Sequence, residues 1–156
     1  MKRIKIALVG DFNEKMHTHI ALNESIDHCR SQLPFELNAE WISSTRSDEL
    51  ISSLADFNGV WIAPGSPYLN DDGVYEVIKQ SRIGLTPVIG SCGGFQYMII
   101  EYARNVLNLH DVGHEESDPG TNHIISKLSC SLKGKEEEVF IPEKSSWLYD
   151  VLKVEK

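Results

Sequence analysis

The segment that most restricts the possible folds is Val88-Ile89-Gly90-Ser91-Cys92-Gly93-Gly94, a β-branched run that breaks into five small residues directly before a helical pattern. Phe95, Ile99, Tyr102 and Val106 follow at spacings of four, three and four, which is the period of a helix. A strand that turns straight into a helix holds one side chain at the corner, here Cys92. Bulky neighbours would crowd such a turn, and Gly90, Ser91, Gly93 and Gly94 supply none. A helix amino terminus favours the thiolate, the form of cysteine that attacks, and the Gly93 N–H could donate to an oxyanion. The plain alternative is a buried cysteine in a tight turn, since cysteine is among the most buried residue types.

The rest of the chain supports a corner of the first kind. Ile4 to Val9 is a compact β-branched run that ends in Gly10-Asp11, and Gly59 to Ala63 is an apolar run leading into Pro64-Gly65-Ser66-Pro67. Between them, Leu22, Ile26, Cys29 and Leu33 predict a helix stopped by Pro34, with Cys29 in the core. Phe35 to Ile42 alternates as a half-buried strand, and Ser47-Asp48-Glu49 caps a short helix through Leu50, Ile51, Leu54 and Ala55. Val74, Val77, Ile78 and Ile83 predict another helix, followed by a buried fourth strand at Pro87 to Gly90. Four strand-then-helix units predict an α/β fold, a doubly wound and mostly parallel sheet with helices on both faces. Ile124 to Leu132 and Glu138 to Ile141 read as a C-terminal hairpin through Lys133-Gly134-Lys135, and Ser145 to Leu152 as a terminal helix.

Ligands of such sheets sit beyond the carboxyl ends of the strands, so the segments after Val9, Ala63 and Ile89 are the candidate site. At 156 residues one domain, 1–156, is expected. A formal charge of −8 disfavours nucleic acid, which is bound through clustered Lys and Arg. The apolar stretch from Ile6 to Val9 is too short for a signal-peptide core or a membrane span, so a cytoplasmic protein with no membrane contact is expected. Cys29, Cys92 and Cys130 form no CxxC pair, which predicts neither a disulfide framework nor a zinc site.

The elbow at Gly90 to Gln96, the phrase Ala103-Arg104-Asn105-Val106-Leu107 and the later Glu116-Ser117-Asp118-Pro119 occur in that order. Together they resemble the glutaminase domain of CTP synthase, a class I glutamine amidotransferase with a flavodoxin-like fold. The likeness runs from Lys5 to about Ile141 and is closest to the shorter CTP synthase carboxyl-terminal-related proteins. It implies hydrolysis of L-glutamine through a Cys92 thioester, with the backbone N–H groups of Gly93 and Gly65 holding the oxyanion. Gln96, Glu116 and Ser66 would bind the substrate, and no cofactor or metal is implied. A synthetase partner or a homo-oligomer is the expected setting, because this chain carries no synthetase portion.

One departure matters. The family activates its cysteine with a histidine on a later strand, followed two positions on by a glutamate. After Cys92 the chain has His110, His114 and His123, and none stands in such a strand-like carboxyl-terminal setting. The tail from Pro142 onward does not resemble the family's, which implies a chain truncated at that end or a domain without the pair. His114, on a loop two residues before Glu116, is the candidate substitute base. Two alternatives stay open: a non-catalytic relative that keeps the pocket, and a thiol-reactive protein in which Asp11 or Glu14 lies beside the cysteine.

Overall fold

The computed structural model describes residues 2–117, 120, 122–126, 136, 138, 140–141 and 144–152. β1 (Arg3–Val9) lies between β2 (Glu36–Ile42) and β3 (Gly59–Ile62), and β4 (Val88–Gly90) pairs with β3. All three pairings are parallel, giving the order β2-β1-β3-β4. Each strand returns to the next through a helix: α1 (His17–Arg30), α2 (Ser47–Ser52) with short 3-10 turns on either side, and α3 (Asp71–Ile83). α4 (Gly93–Asn105) follows β4. The expected parallel α/β architecture is the one observed.

The two sheet faces bury different cores. Ala7, Val9, Val60 and Ile62 pack under Leu50, Leu54, Phe57, Val74, Val77, Ile78 and Tyr97, side chains of α2, the 3-10 turn after it, α3 and α4. Leu8 and Ala63 point the other way and meet Leu22 and Ile26 of α1. This alternation is the period of two expected of strands covered on both sides.

Four expectations need correction. Ser47 is the first residue of α2 and does not cap it: Arg46 holds the N-cap position, with no side-chain cap bond. Cys29 is exposed, not core. The buried stripe of α1 runs His19, Leu22 and Ile26 and ends there; the last turn of the helix, Cys29 and Arg30 included, is exposed, with Arg30 Nε donating to Leu37 O at 3.0 Å. In α4 the apolar stripe Phe95, Tyr102 and Val106 faces solvent, while Tyr97, Ile100 and Ala103 are buried. The phase of that helix is set at its start. Gly93 and Gly94 lie against the preceding loop and strand, so the residues three and four positions on from them turn inward. Finally, β4 is an edge strand among the described residues and Ile89 is 52% exposed. There Ile4, Ile6, Trp61, Pro87 and Ile89 line an open apolar groove of about 180 Å³.

Beyond α4 the chain forms β5 (Val112–His114) and β6 (Asn122–Ile125), a separate parallel pair that the sequence reading did not foresee at β5. The turn expected at Lys133-Gly134-Lys135, and Cys130, lie outside the described residues. The terminal helix is present as α5 (Trp147–Leu152). No helix among the described residues is long and apolar enough to cross a membrane.

Candidate functional site

Cys92 sits between β4 and α4 with φ 53° and ψ −121°. A positive φ at a residue with a Cβ costs on the order of 1–3 kcal/mol and persists only where the surroundings enforce it. The enforcing contacts are short. Ser91 N donates to Ile62 O at 3.2 Å and Gly94 N to Ser91 O at 3.0 Å. A Cβ on Gly94 would stand 2.2 Å from Ile62 O, and one on Gly90 would stand 2.5 Å from the Gly94 carbonyl carbon. Only glycine allows helix and strand to approach this closely. Cys92 itself is exposed, and it is presented at the start of a helix of 13 residues.

The loop after β3 meets this corner. Gly65 has φ 108°, a conformation suited to glycine, and Ser66 lies so close to Gly93 that a Cβ there would be 2.1 Å from the Ser66 Oγ. Neither Gly65 N–H nor Gly93 N–H donates to any described residue. Two backbone donors without a partner among the described residues therefore belong to the segments that meet at the cysteine corner.

Polar contacts hold the loop from three sides. His19, 2% exposed, accepts from Asn13 N at Nδ1 (3.0 Å) and so donates from Nε2 to Pro64 O (2.8 Å). Its ring packs on Phe12 and Trp41. Asp11 accepts from Ser43 Oγ, from the Ser44 N–H and hydroxyl, and from Leu69 N at 2.8 Å. Burial alone would raise its carboxyl, but these donors together hold it below the usual range. Asp71 Oδ1 receives Tyr68 N at 2.8 Å and the Tyr97 hydroxyl at 2.6 Å. The Tyr68 hydroxyl donates to Ala63 O. Burial first, then nearby Cys92, Asp71 and Asp11, push that hydroxyl above its ordinary value. Asp11 is thus committed to loop donors, which leaves the thiol-reactive alternative without that acid.

Residues from three segments also converge. Ser66, Pro67, Tyr97, His114, Glu116 and Ser117 line one narrow cleft, so segments some fifty residues apart meet. His114 ends β5 and is 5% exposed, where the sequence reading had placed it on a loop. Its Nε2 lies 3.1 Å from Gln96 Oε1 and its Nδ1 accepts from Glu116 N at 3.0 Å. As a substitute base for Cys92 it has no spare lone pair in this arrangement. Glu116 is exposed and Gln96 half-buried. A wider cavity of about 360 Å³, lined by Asn70, Asp71, Asp72, Tyr75, Arg104 and Ser117, lies beside the cleft and does not include Cys92. No group of three or more His, Cys, Asp or Glu among the described residues could hold a metal.

Sequence reasoning missed the supports: His19, Tyr68, Asp71 and Tyr97. For His19 a signal existed, since it precedes Leu22 and Ile26 at helical spacing.

A family model described as glutamine amidotransferase class-I matches residues 17–144. The CTP synthase of Sulfolobus acidocaldarius is 34% identical over 130 residues, covering 81% of this chain and 25% of that protein. That of Saccharolobus solfataricus is 35% identical over 131 residues, covering 81% and 24%. The chain therefore spans about a quarter of the length of the curated relatives it matches. Among solved structures, the glutaminase domain of Trypanosoma brucei CTPS with bound acivicin has the same fold, with a TM-score of 0.78 at 23% identity. The match covers 95% of this chain and 61% of that one.

Proposed function

We propose, for a chain that belongs to the class I glutamine amidotransferase family, that the site hydrolyses L-glutamine to glutamate and ammonia through Cys92. The observation that carries the reading is the positive-φ Cys92 corner, where the segments of Gly93 and Gly65 meet with N–H groups that have no partner among the described residues. The Cys92 sulfur attacks the side-chain carboxamide carbon, and the carbonyl oxygen becomes an oxyanion that accepts from those two donors. The C–N bond then breaks, and the nitrogen leaves as ammonia carrying the proton first held by the thiol. Water attacks the resulting thioester, releasing glutamate and restoring the thiol. Gln96 and Glu116 receive the amino-acid end of the substrate: the carboxylate of Glu116 suits an ammonium group, and an amide suits a carboxylate. Ser66, packed on Gly93, keeps the two donor loops in register. The expected setting is cytoplasmic, with a synthetase partner or as a homo-oligomer.

A second reading, glutamine binding without turnover, has one observation in its favour. The two buried histidines, His19 and His114, both use their ring nitrogens in other bonds. A missing general base costs about 10²–10⁴-fold. Ammonia and glutamate release by the purified chain, beside Cys92→Ala and with labelling by a glutamine-like alkylator, separates the two. Turnover lost in Cys92→Ala supports hydrolysis; Cys92-dependent labelling without turnover supports binding alone. Neither labelling nor turnover above the variant overturns both.

A further inference from the structure

One buried imidazole at the site has no task in the reaction just described. His114 bridges two of the substrate-side residues, and the bridge fixes more than position. A backbone nitrogen can only donate, so the ring nitrogen that meets Glu116 N–H, Nδ1, must be the unprotonated one. In the neutral ring the proton then resides on Nε2, which donates. The Gln96 atom facing it, 3.1 Å away, is therefore the carbonyl Oε1, as assigned, and the alternative amide orientation would set donor against donor. It follows that the Gln96 NH2 is turned away from the histidine. Among the described residues that NH2 has no partner, although Gln96 is half-buried. One backbone donor thus selects, through one ring, which end of an amide is offered to a ligand.

We propose that His114 is a positioning residue for amino-acid recognition: it orients the Gln96 amide so that N–H donors face the ligand, and it holds the turn that carries Glu116. Naming L-glutamine as the ligand rests on the hydrolysis reading; the tautomer and the amide orientation do not. The oriented pair matches an α-amino acid, with Gln96 NH2 toward the carboxylate and the Glu116 carboxylate toward the ammonium. With the amide flipped, Oε1 would face the ligand carboxylate and repel it. β5 is held in place for this role, since Arg104 Nε donates to Val112 O at 2.8 Å.

Two measurements on the full chain test the proposal. Imidazole nitrogen NMR spectra, with His114 assigned by its loss in His114→Gln, are expected to show an unprotonated Nδ1 and a protonated Nε2. A proton on Nδ1, or averaging between the two tautomers, overturns the proposal. The second measurement compares Cys92 labelling by a glutamine-like alkylator with labelling by iodoacetamide, which lacks the amino-acid end. His114→Asn keeps an acceptor for Glu116 N–H and is too short to place a donor on Gln96. It is expected to slow the glutamine-like reagent about tenfold, the worth of one hydrogen bond, and to leave iodoacetamide unchanged. Gln96→Leu is expected to cost about the same alone and little more when added to His114→Asn, because the two act as a unit. Fully additive losses, or equal slowing of both reagents, refute positioning. If the wild-type chain shows no preference for the glutamine-like reagent, the hydrolysis reading fails, and the nitrogen spectra still decide the orientation of Gln96.

Discussion

Replacing Gly94 by alanine tests the packing argument at the centre of the site. The new Cβ would stand 2.2 Å from Ile62 O, 2.7 Å from the Ile62 carbonyl carbon and 3.0 Å from Ile62 Cβ. The oxygen and carbonyl carbon belong to the backbone of an inner strand, and the same oxygen already accepts from Ser91 N. No side chain can rotate away, so α4 must retreat by about 1 Å to reach ordinary contact. Overpacking of this kind costs about 1–3 kcal/mol, and the helix preference of alanine over glycine returns at most ~1 kcal/mol. A net loss of roughly 1–2 kcal/mol is expected, read as a lower urea midpoint at unchanged slope. Gly73→Ala is the control. There the nearest atoms are the tips of Ser47 and Asn70, at 2.3 and 2.5 Å, which can move at the expense of the Asn70 cap on Gly73 N. Its loss should stay at about 1 kcal/mol or below. Because Gly93 N–H moves with the helix, labelling of Cys92 by a glutamine-like reagent should fall by up to about 10²-fold in Gly94→Ala and little in Gly73→Ala. A Gly94→Ala chain as stable as the wild type, or a Gly73→Ala chain that loses as much, would refute the reasoning.

Asp11 has its carboxyl held low in the folded chain, so the unfolded chain binds that proton at higher pH. Its contribution is fully present above about pH 4 and is lost as pH falls through the folded value; thermal melts between about pH 5 and pH 2 should show a shallower acid decline in Asp11→Asn than in the wild type. Arg82 places Nε and Nη2 on Glu101, which is 1% exposed and among the described residues otherwise receives only Asn105 Nδ2 at 3.2 Å. Arg82→Met leaves that buried carboxylate undercompensated. With Arg82 itself about a third exposed, roughly 2–4 kcal/mol should be lost in urea unfolding, and much less in Arg82→Met combined with Glu101→Leu. His19→Phe keeps the ring packing but strands Asn13 N–H and Pro64 O; a stability loss of about 1–3 kcal/mol is expected, together with slower Cys92 labelling as the Gly65 loop loosens. Unchanged labelling with normal folding would separate His19 from the site.

Most of the fold was legible because it depends on local chemistry. β-branched runs ending in Gly or Pro marked β1, β3 and β4 at the sheet's carboxyl edge, and the alternation in β2 was visible within a few residues. The helices were found by their spacing, but the inward faces were harder to place. In α1 the spacing carries the apolar stripe on to Cys29, but the buried face stops at Ile26 because the last turn of the helix stands clear of the core, which no local pattern reveals. In α4 the more apolar stripe lost to the glycine side, because a helix that must touch a strand backbone has to present residues without side chains there.

The elbow and the cysteine it presents were legible in the sequence alone, since a strand, five small residues and a helix in that order leave few other geometries. What surrounds the elbow was not. His19 and Asp11 brace loops far from them in the chain, and β5 carries His114 to Gln96 across eighteen residues. Such contacts arise only when the sheet order and the phase of each helix are fixed. Local preferences act over a few residues, whereas a hydrogen bond between distant segments depends on where the whole chain has placed both partners.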